Sequence, residues 1–203
     1  MPRIRAENLY AHKVLNRSAI LQAAEKLFST EGFLTSNMTD VADMAGVGRS
    51  TIYEYFPSKD DLLLGVAESR ILPLMRAVEE LETSEGPVQD ICNLCRMTID
   101  FMAENLELTR VITWESRYLS KDYQERLWQT VAPLTKKFVS LIERGMPGED
   151  ASVLARLVTF ALRDAGDIMQ HAEEDGFEFE TVKQTSLAFI RRGLGLPPIP
   201  ASS

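Results

Sequence analysis

Residues 36–60, SNMTDVADMAGVGRSTIYEYFPSKD, constrain this chain more than any other stretch. Met38, Val41, Ala42 and Ala45 recur at i, i+3, i+4 and i+7, the spacing of one helical face. Asn37 stands where an N-cap accepts an orphan backbone N–H, and Asp40 puts an acid in the first turn. Gly46 is free to take φ > 0 and so to end that helix. A second segment, residues 49–56, offers Ile52 and Phe56 to an interior and turns Arg49, Ser50, Thr51, Tyr53, Glu54 and Tyr55 to other faces. Pro57 closes it, because the residue before a proline is pushed out of the α region. Two helices about a tight glycine turn over residues 37–56 have the layout of a helix-turn-helix, whose second helix enters the DNA major groove. An ordinary αα-hairpin has the same periodicity, so the residue identities have to decide.

The rest of the chain reads as helix. Ile20, Ala23, Ala24, Leu27 and Phe28 form the apolar stripe of a first helix, which starts between Leu9 and Ser18 and runs to about Thr30. Gly32 ends it, and Phe33 packs beneath the unit. Residues 1–16 read either as an arm whose Arg3 and Arg5 reach a groove or phosphates, or as a disordered tail. Ser58 and Asp61 make a capping-box-like start for a fourth helix, which continues to about Leu81. Pro73 is expected to kink or split it. Further helices are expected over 88–105, 107–119, 122–144, 149–174 and 178–193, with Pro133 bending the third of these. Gly145-Met146-Pro147-Gly148 and Gly176 are the breaks among the later ones. No segment alternates with period two for long enough to be a strand. The expectation is an all-α chain of about nine helices. Residues 1–60 would form a three-helix DNA-binding domain, and residues 61–203 a helical domain for ligand binding and dimerisation.

The helix-turn-helix stretch and the helix before it resemble the DNA-binding domain of the TetR (tetracycline repressor) family. The resemblance covers about Ser18 to Leu64. It is carried by AILQAAEKLFSTEGF, then MTDVADMAGV, then STIYEYFPSKDDLL, in which Thr51-Ile52-Tyr53, Tyr55-Phe56 and Ser58-Lys59-Asp60 are the specific part. It implies phosphate contacts at Tyr55 and Lys59 and a further DNA contact at Thr39. It also implies a small-molecule cavity in the helices after the fourth, and a homodimer in which the last two long helices form an intersubunit four-helix bundle. The family often has Lys where this chain has Arg49, and Ser where it has Gly48. Arg49 keeps the charge, whereas Gly48 gives up a side-chain N-cap.

Base readout asks for small residues that let a helix enter the groove, and for a few longer donors. Gly48, Ser50 and Thr51 meet the first need. Arg49 suits guanine O6 and N7, Tyr53 adds reach, and Glu54 either accepts from cytosine N4 or is a solvated surface charge. The candidate DNA-binding set is therefore Thr39, Arg49, Ser50, Thr51, Tyr53, Tyr55 and Lys59. The net charge of −8 looks wrong for a DNA binder until it is divided. Residues 1–60 carry seven Lys/Arg and seven Asp/Glu, so residues 61–203 hold the whole excess. DNA must be met by a local patch, for which Arg3, Arg5, His12, Lys13, Arg17, Arg49 and Lys59 are the candidates.

In the second domain, Met97, Phe101, Trp114, Tyr118 and Phe160 can wall a pocket, with Arg117 and Asp164 as polar contacts; the same aromatics serve equally as plain core. Arg163, Asp167 and His171 step by four along one helix and either line a pocket or pair across a dimer seam, the seam being favoured. Phe160 and Phe189 are placed at the same seam. Cys92 and Cys95 lie on one side of a helix. A zinc site would need two more ligands, and the histidines, His12 and His171, are remote, so the thiols read as small packing residues.

No metal or cofactor is expected, and no phosphate-cradling Gly-rich loop, GxSxG or HExxH points to an enzyme. No apolar run approaches the roughly 18 residues of a membrane span. MPRIRAENLY is not followed by a signal-peptide core, and two cysteines are no disulfide scaffold, so the expected compartment is the cytoplasm. The function expected is that of a transcriptional regulator, a repressor released from a palindromic operator by a small molecule. The alternative is a helical interaction module that uses the helix-turn-helix for protein contacts, without a regulatory ligand.

Overall fold

The computed structural model describes residues 2–81, 86–113 and 119–196. All regular structure among them is helical: α1 Pro2–Glu31, α2 Met38–Ala45, α3 Arg49–Tyr55, α4 Lys59–Glu80, α5 Pro87–Glu104, α6 Leu106–Thr113, α7 Lys121–Gly145, α8 Ala151–Gln170, the single turn α9 Ala172–Asp175, and α10 Phe179–Gly193. α1 starts well before the Leu9–Ser18 window expected from its apolar stripe. Nothing between residues 3 and 17 breaks a helix, and Pro2 occupies the first helical position, where its missing N–H costs nothing. α4 is not split by Pro73, nor α7 by Pro133. Pro73 is exposed, so the Ser69 carbonyl it leaves without an N–H lies toward solvent.

The chain divides into two compact units. The first holds residues up to Ile71 together with Leu119–Arg126, so it extends past residue 60 and takes in the first turn of α7. α1 packs on α2 and α2 on α3. The interior is built from Ile20, Ala24, Leu27 and Phe28 of α1, Val41 and Ala42 of α2, Ile52 of α3, and Leu62, Leu63 and Val66 of α4, all buried. Phe28 and Phe33 meet edge-on, with centroids 5.3 Å apart. Gly65 of α4 marks the tightest approach. A Cβ there would lie 2.6 Å from a carbon of the Phe56 ring and 3.1 Å from Leu21.

Residues of α7 complete this unit. Tyr123 is buried, and Arg126 Nη1 donates to Asp61 Oδ1 at 2.7 Å. The other oxygen of Asp61 accepts from Ser58 Oγ at 2.7 Å, while the Asp61 N–H donates to that same hydroxyl at 3.0 Å. This is the reciprocal cap the sequence suggested for the start of α4. The Ser58 hydroxyl and then the Arg126 guanidinium hold the Asp61 carboxyl below its ordinary pKa.

In the second unit α8 is central, with α5, α6 and α10 packed on it. Its buried face is Ala155, Val158, Leu162, Ala165 and Met169. Lys183 of α10 pairs with Asp100 of α5 at 2.6 Å, and Gln170 Nε2 donates to the Leu106 carbonyl at 2.6 Å. No helix among the described residues is long and apolar enough to cross a membrane.

Two outcomes follow from the first unit. Helix propensity alone would make Gly65→Ala stabilising by about 1 kcal/mol. The buried Phe56 ring reverses the sign, and overpacking leaves a net loss of about 1–2 kcal/mol in urea denaturation. For the half-exposed Asp61–Arg126 pair, a double-mutant cycle gives a coupling of about 0.5–1 kcal/mol near pH 7. Because the folded-state pKa of Asp61 is depressed, that coupling is complete above about pH 5 and disappears as the pH falls through the lowered value.

Candidate nucleic-acid interface

α2 is set by its two ends. Asn37 is extended and its side-chain carbonyl accepts from the N–H groups of Thr39 and Asp40 at 2.9 and 3.0 Å. At the other end Gly46 has φ +69°, and the Val47 N–H reaches the Ala42 carbonyl at 3.0 Å while the Gly46 N–H reaches that of Asp43 at 3.2 Å, the two bonds of a Schellman close. The chain reverses there and enters α3 at once. Gly48 precedes α3 with no side-chain cap, as its lack of a hydroxyl requires. The helix is seven residues long and ends where the Phe56 N–H meets the Ile52 carbonyl at 2.9 Å.

Burial sorts the residues of α3 into two faces. Ile52 and the following Phe56 are buried. Arg49, Ser50, Tyr53 and Glu54 are exposed, Tyr53 at 42 %, and Thr51 and Tyr55 are half-buried. Arg49, Ser50, Tyr53 and Glu54 thus share one outward face of a helix whose inner face is fixed in the core. Thr39 is half-buried at the start of α2. All seven expected DNA-binding residues therefore retain at least partial access to solvent, six of them on α2 and α3 and Lys59 at the start of α4.

Lys59 is half-buried at the start of α4. Its ammonium donates to the carbonyls of Phe33 at 2.7 Å, Ser36 at 3.0 Å and Leu34 at 3.2 Å, and lies 4.5 Å from the Phe33 ring centroid. Arg17 was one of several basic candidates in the sequence. Its guanidinium stands 5.4 Å from the Phe56 ring centroid, next to the end of α3, and is exposed. His12 and Lys13 are exposed further along α1. The side chains of Arg3 and Arg5 lie outside the described residues. Asp40 and Asp43 are exposed on α2, so the local balance of charge stays close to even.

Of the expected ligand set, Met97, Phe101, Phe160 and Asp164 are among the described residues. Met97 and Phe101 are half-buried on α5. Phe160 and Asp164 face outward from α8, Phe160 at 48 % exposure, because the inward positions of that helix are taken by Val158, Leu162 and Ala165. Trp114, Arg117 and Tyr118 lie outside the described residues. The residues expected at a seam fare differently. Phe160, Asp164, Arg163, Asp167, His171 and Phe189 are all at least partly exposed. Arg163 stacks over Phe160 at 4.7 Å, and His171 Nδ1 lies 3.7 Å from an Asp167 carboxylate oxygen. Val153, Leu157 and Ile168 extend the exposed apolar stripe of α8. Cys92 and Cys95 are buried free thiols, and burial raises the pKa of both. Cys92 Sγ accepts from Arg191 Nη1 at 2.6 Å, a contact between α5 and α10 that no spacing in the sequence announced.

Residues 20–66 match the family model described as bacterial regulatory proteins, tetR family. The regulator BetI of Agrobacterium fabrum is 26% identical over 146 residues, which is 70% of this chain and 70% of that protein. The transcriptional repressor LfrR of Mycolicibacterium smegmatis is 38% identical over 72 residues, 36% of this chain and 37% of LfrR. The fold is also that of the transcriptional regulator FadR from Bacillus subtilis, solved in complex with stearoyl-CoA. The TM-score is 0.72 at 15% identity, over 85% of this chain and 96% of FadR. The matched segment runs from within α1 through α2 and α3 into the first turns of α4. Residues 20–66 thus match the domain of tetR-family bacterial regulatory proteins, and the relatives that the longer chain resembles are transcriptional regulators.

Proposed function

We propose that the chain is a homodimeric repressor that holds a palindromic operator through two copies of α3 and is released from it by a small molecule. The observation that carries this reading is the outward face of α3: Arg49, Ser50, Tyr53 and Glu54 exposed together above a buried Ile52 and Phe56. In this reading Arg49 donates to a guanine edge, Ser50 and Thr51 allow close approach, and Tyr53 and Glu54 bound the read sequence. Tyr55, Thr39 and Arg17 meet phosphates on either side, which fixes register without reading bases.

Dimerisation is supported by the exposed stripe of Val153, Leu157, Phe160 and Ile168 on α8, together with Phe189 on α10, which is 67 % exposed. An apolar row of that length on two adjoining helices fits a partner helix pair better than water. A two-fold axis through such a seam presents the two α3 helices to half-sites about 34–36 Å apart. The ligand is proposed to enter the second unit, where Met97 and Phe101 remain the candidate wall residues among those described. FadR, of the same fold, is solved with stearoyl-CoA. A ligand with a long apolar body is therefore the first class to titrate. Release needs only that the ligand favour a dimer whose two α3 helices no longer fit successive half-sites. The compartment proposed is the cytoplasm, where the operator would be found.

The test is a salt titration of binding to the duplex that the protein enriches from genomic fragments. Log affinity should fall linearly with log salt. Arg49→Ala should relax the preference at one base pair by about 1–3 kcal/mol. Tyr55→Phe should weaken binding to every sequence alike, by about 0.5–1.5 kcal/mol for one lost hydrogen bond. Binding that never rises above the non-specific level at any salt refutes the reading. A uniform loss on Arg49→Ala refutes the role of that residue.

A further inference from the structure

Asp90, in the first turn of α5, is 1 % exposed. Buried charges are ordinarily paired or hydrogen-bonded. Among the described residues nothing pairs with this one: its Oδ2 is shut off from solvent and meets no donor, and no cationic side chain makes an ion pair with it. Its neighbours Ile91 and Leu94 are fully buried aliphatics. Pro87, the first residue of the helix, has no N–H to offer, and Gly86 before it has no side chain. The positive end of the helix dipole offsets part of the cost of burying a carboxylate there but leaves Oδ2 without a bond. Asp90, Leu94, Met97 and Phe101 recur at i, i+4, i+7 and i+11, so they lie along one face of α5. That row is closed at one end and open at the other, since Asp90 and Leu94 are buried whereas Met97 and Phe101 are half-buried. At the closed end α7 abuts α5, where a Cβ on Gly145 would lie 3.3 Å from Pro87. The row is roughly 16 Å long at the rise of an α-helix, which an extended chain of about twelve carbons spans.

We infer that Asp90 is the polar anchor of a small-molecule site in the second unit, and that the ligand is an amphiphilic cation, a protonated amine on an apolar body of about twelve carbons. The inference rests on the ligand-responsive reading above and adds the head group to the long apolar body. The ammonium donates to Asp90 Oδ2 and balances its charge, and the apolar body lies along Leu94, Met97 and Phe101. Met97 is unbranched and repacks readily, so an entering chain passes it without disturbing the helix. A carboxylate or phosphate head is refused, because it sets a second negative charge against a buried first. An alcohol supplies the hydrogen bond but leaves the charge unbalanced. Without ligand the carboxylate is a destabilising group, held in place by the apolar packing around it.

The three head groups supply the test. The chain, without DNA, is titrated calorimetrically with dodecylammonium, dodecanol and dodecanoate, each below the concentration at which it forms micelles. Wild type is compared with Asp90→Asn and with Glu104→Gln, which removes an exposed acid from the same helix. Wild type should bind the amine at least about tenfold more tightly than the alcohol, the increment of one charge-assisted hydrogen bond, and the carboxylate more weakly than either. Asp90→Asn should lose the preference for the amine and keep its affinity for the alcohol, while Glu104→Gln binds like wild type. Without ligand, Asp90→Asn should melt no lower than wild type, because it relieves a buried unpaired charge. An amine preference that is absent from wild type, or that survives Asp90→Asn, overturns the inference. So does an equal loss of preference in Glu104→Gln, the sign of a general attraction to an acidic surface. If Asp90→Asn does not fold, amide exchange on wild type decides: the amine must slow exchange at residues 88–94 beyond what the alcohol does, and protection confined to other helices refutes the site. The release reading is tested apart from the site. An amine that binds through Asp90 yet leaves the enriched duplex bound refutes release and upholds the site, whereas a duplex released by another ligand, with no amine preference, refutes the site alone.

Discussion

A helix of seven residues with no side-chain cap does not hold its shape in water. α3 exists because Ile52 and Phe56 are buried and because α4 brings a glycine, Gly65, against the Phe56 ring. This constraint orders the rest of the first unit. The inner face of α3 must be apolar and closely fitted, so its outer face is left to Arg49, Ser50, Tyr53 and Glu54. The turn before it must reverse within a few residues, which Gly46 achieves at φ +69°. α2 and α4 must then be held in register with α3, and each is fixed by polar contacts at its start: Asn37 for α2, and Ser58 with Asp61 for α4. The groove entry proposed for α3 would be a consequence of this packing, because the outer residues are aimed by a core they do not belong to.

Charge places a second constraint on the account. The first 60 residues sum to zero and the remainder carries −8, so no long-range field draws this protein to DNA. In the proposed reading, affinity comes from a few well-placed donors and from pairing two copies. Arg17, exposed beside Phe56, becomes the basic residue best placed next to the end of α3.

Local rules made the helix-turn-helix legible. An Asn cap, a glycine turn and a terminating proline each act over four residues or fewer, and each is found where expected. The boundaries of α4, α5, α7 and α10 were legible for the same reason. What was hidden depends on distance along the chain. Lys59 reaches back 23 to 26 residues, and Arg126 reaches Asp61 across 65. No periodicity encodes either contact. The early start of α1 was missed because an apolar stripe marks where a helix is buried, not where it begins. The residues between Tyr10 and Leu15 are helical and exposed. Phe160 and Asp164 were grouped with pocket residues by composition, but α8 gives its inward positions to Val158, Leu162 and Ala165.

The central claim is that two α3 faces, fixed by their cores and joined by a two-fold seam, read one operator together. Affinity as a function of half-site spacing tests it most directly. Lengthening the enriched duplex between its half-sites by about five base pairs turns one of them to the opposite side of the helix, and lengthening by about ten restores the face while stretching the span. The account predicts near loss of specific binding at five. Affinity at ten should recover in part at most, because the seam fixes the span. Binding that is indifferent to spacing, with one protomer per half-site, would contradict it.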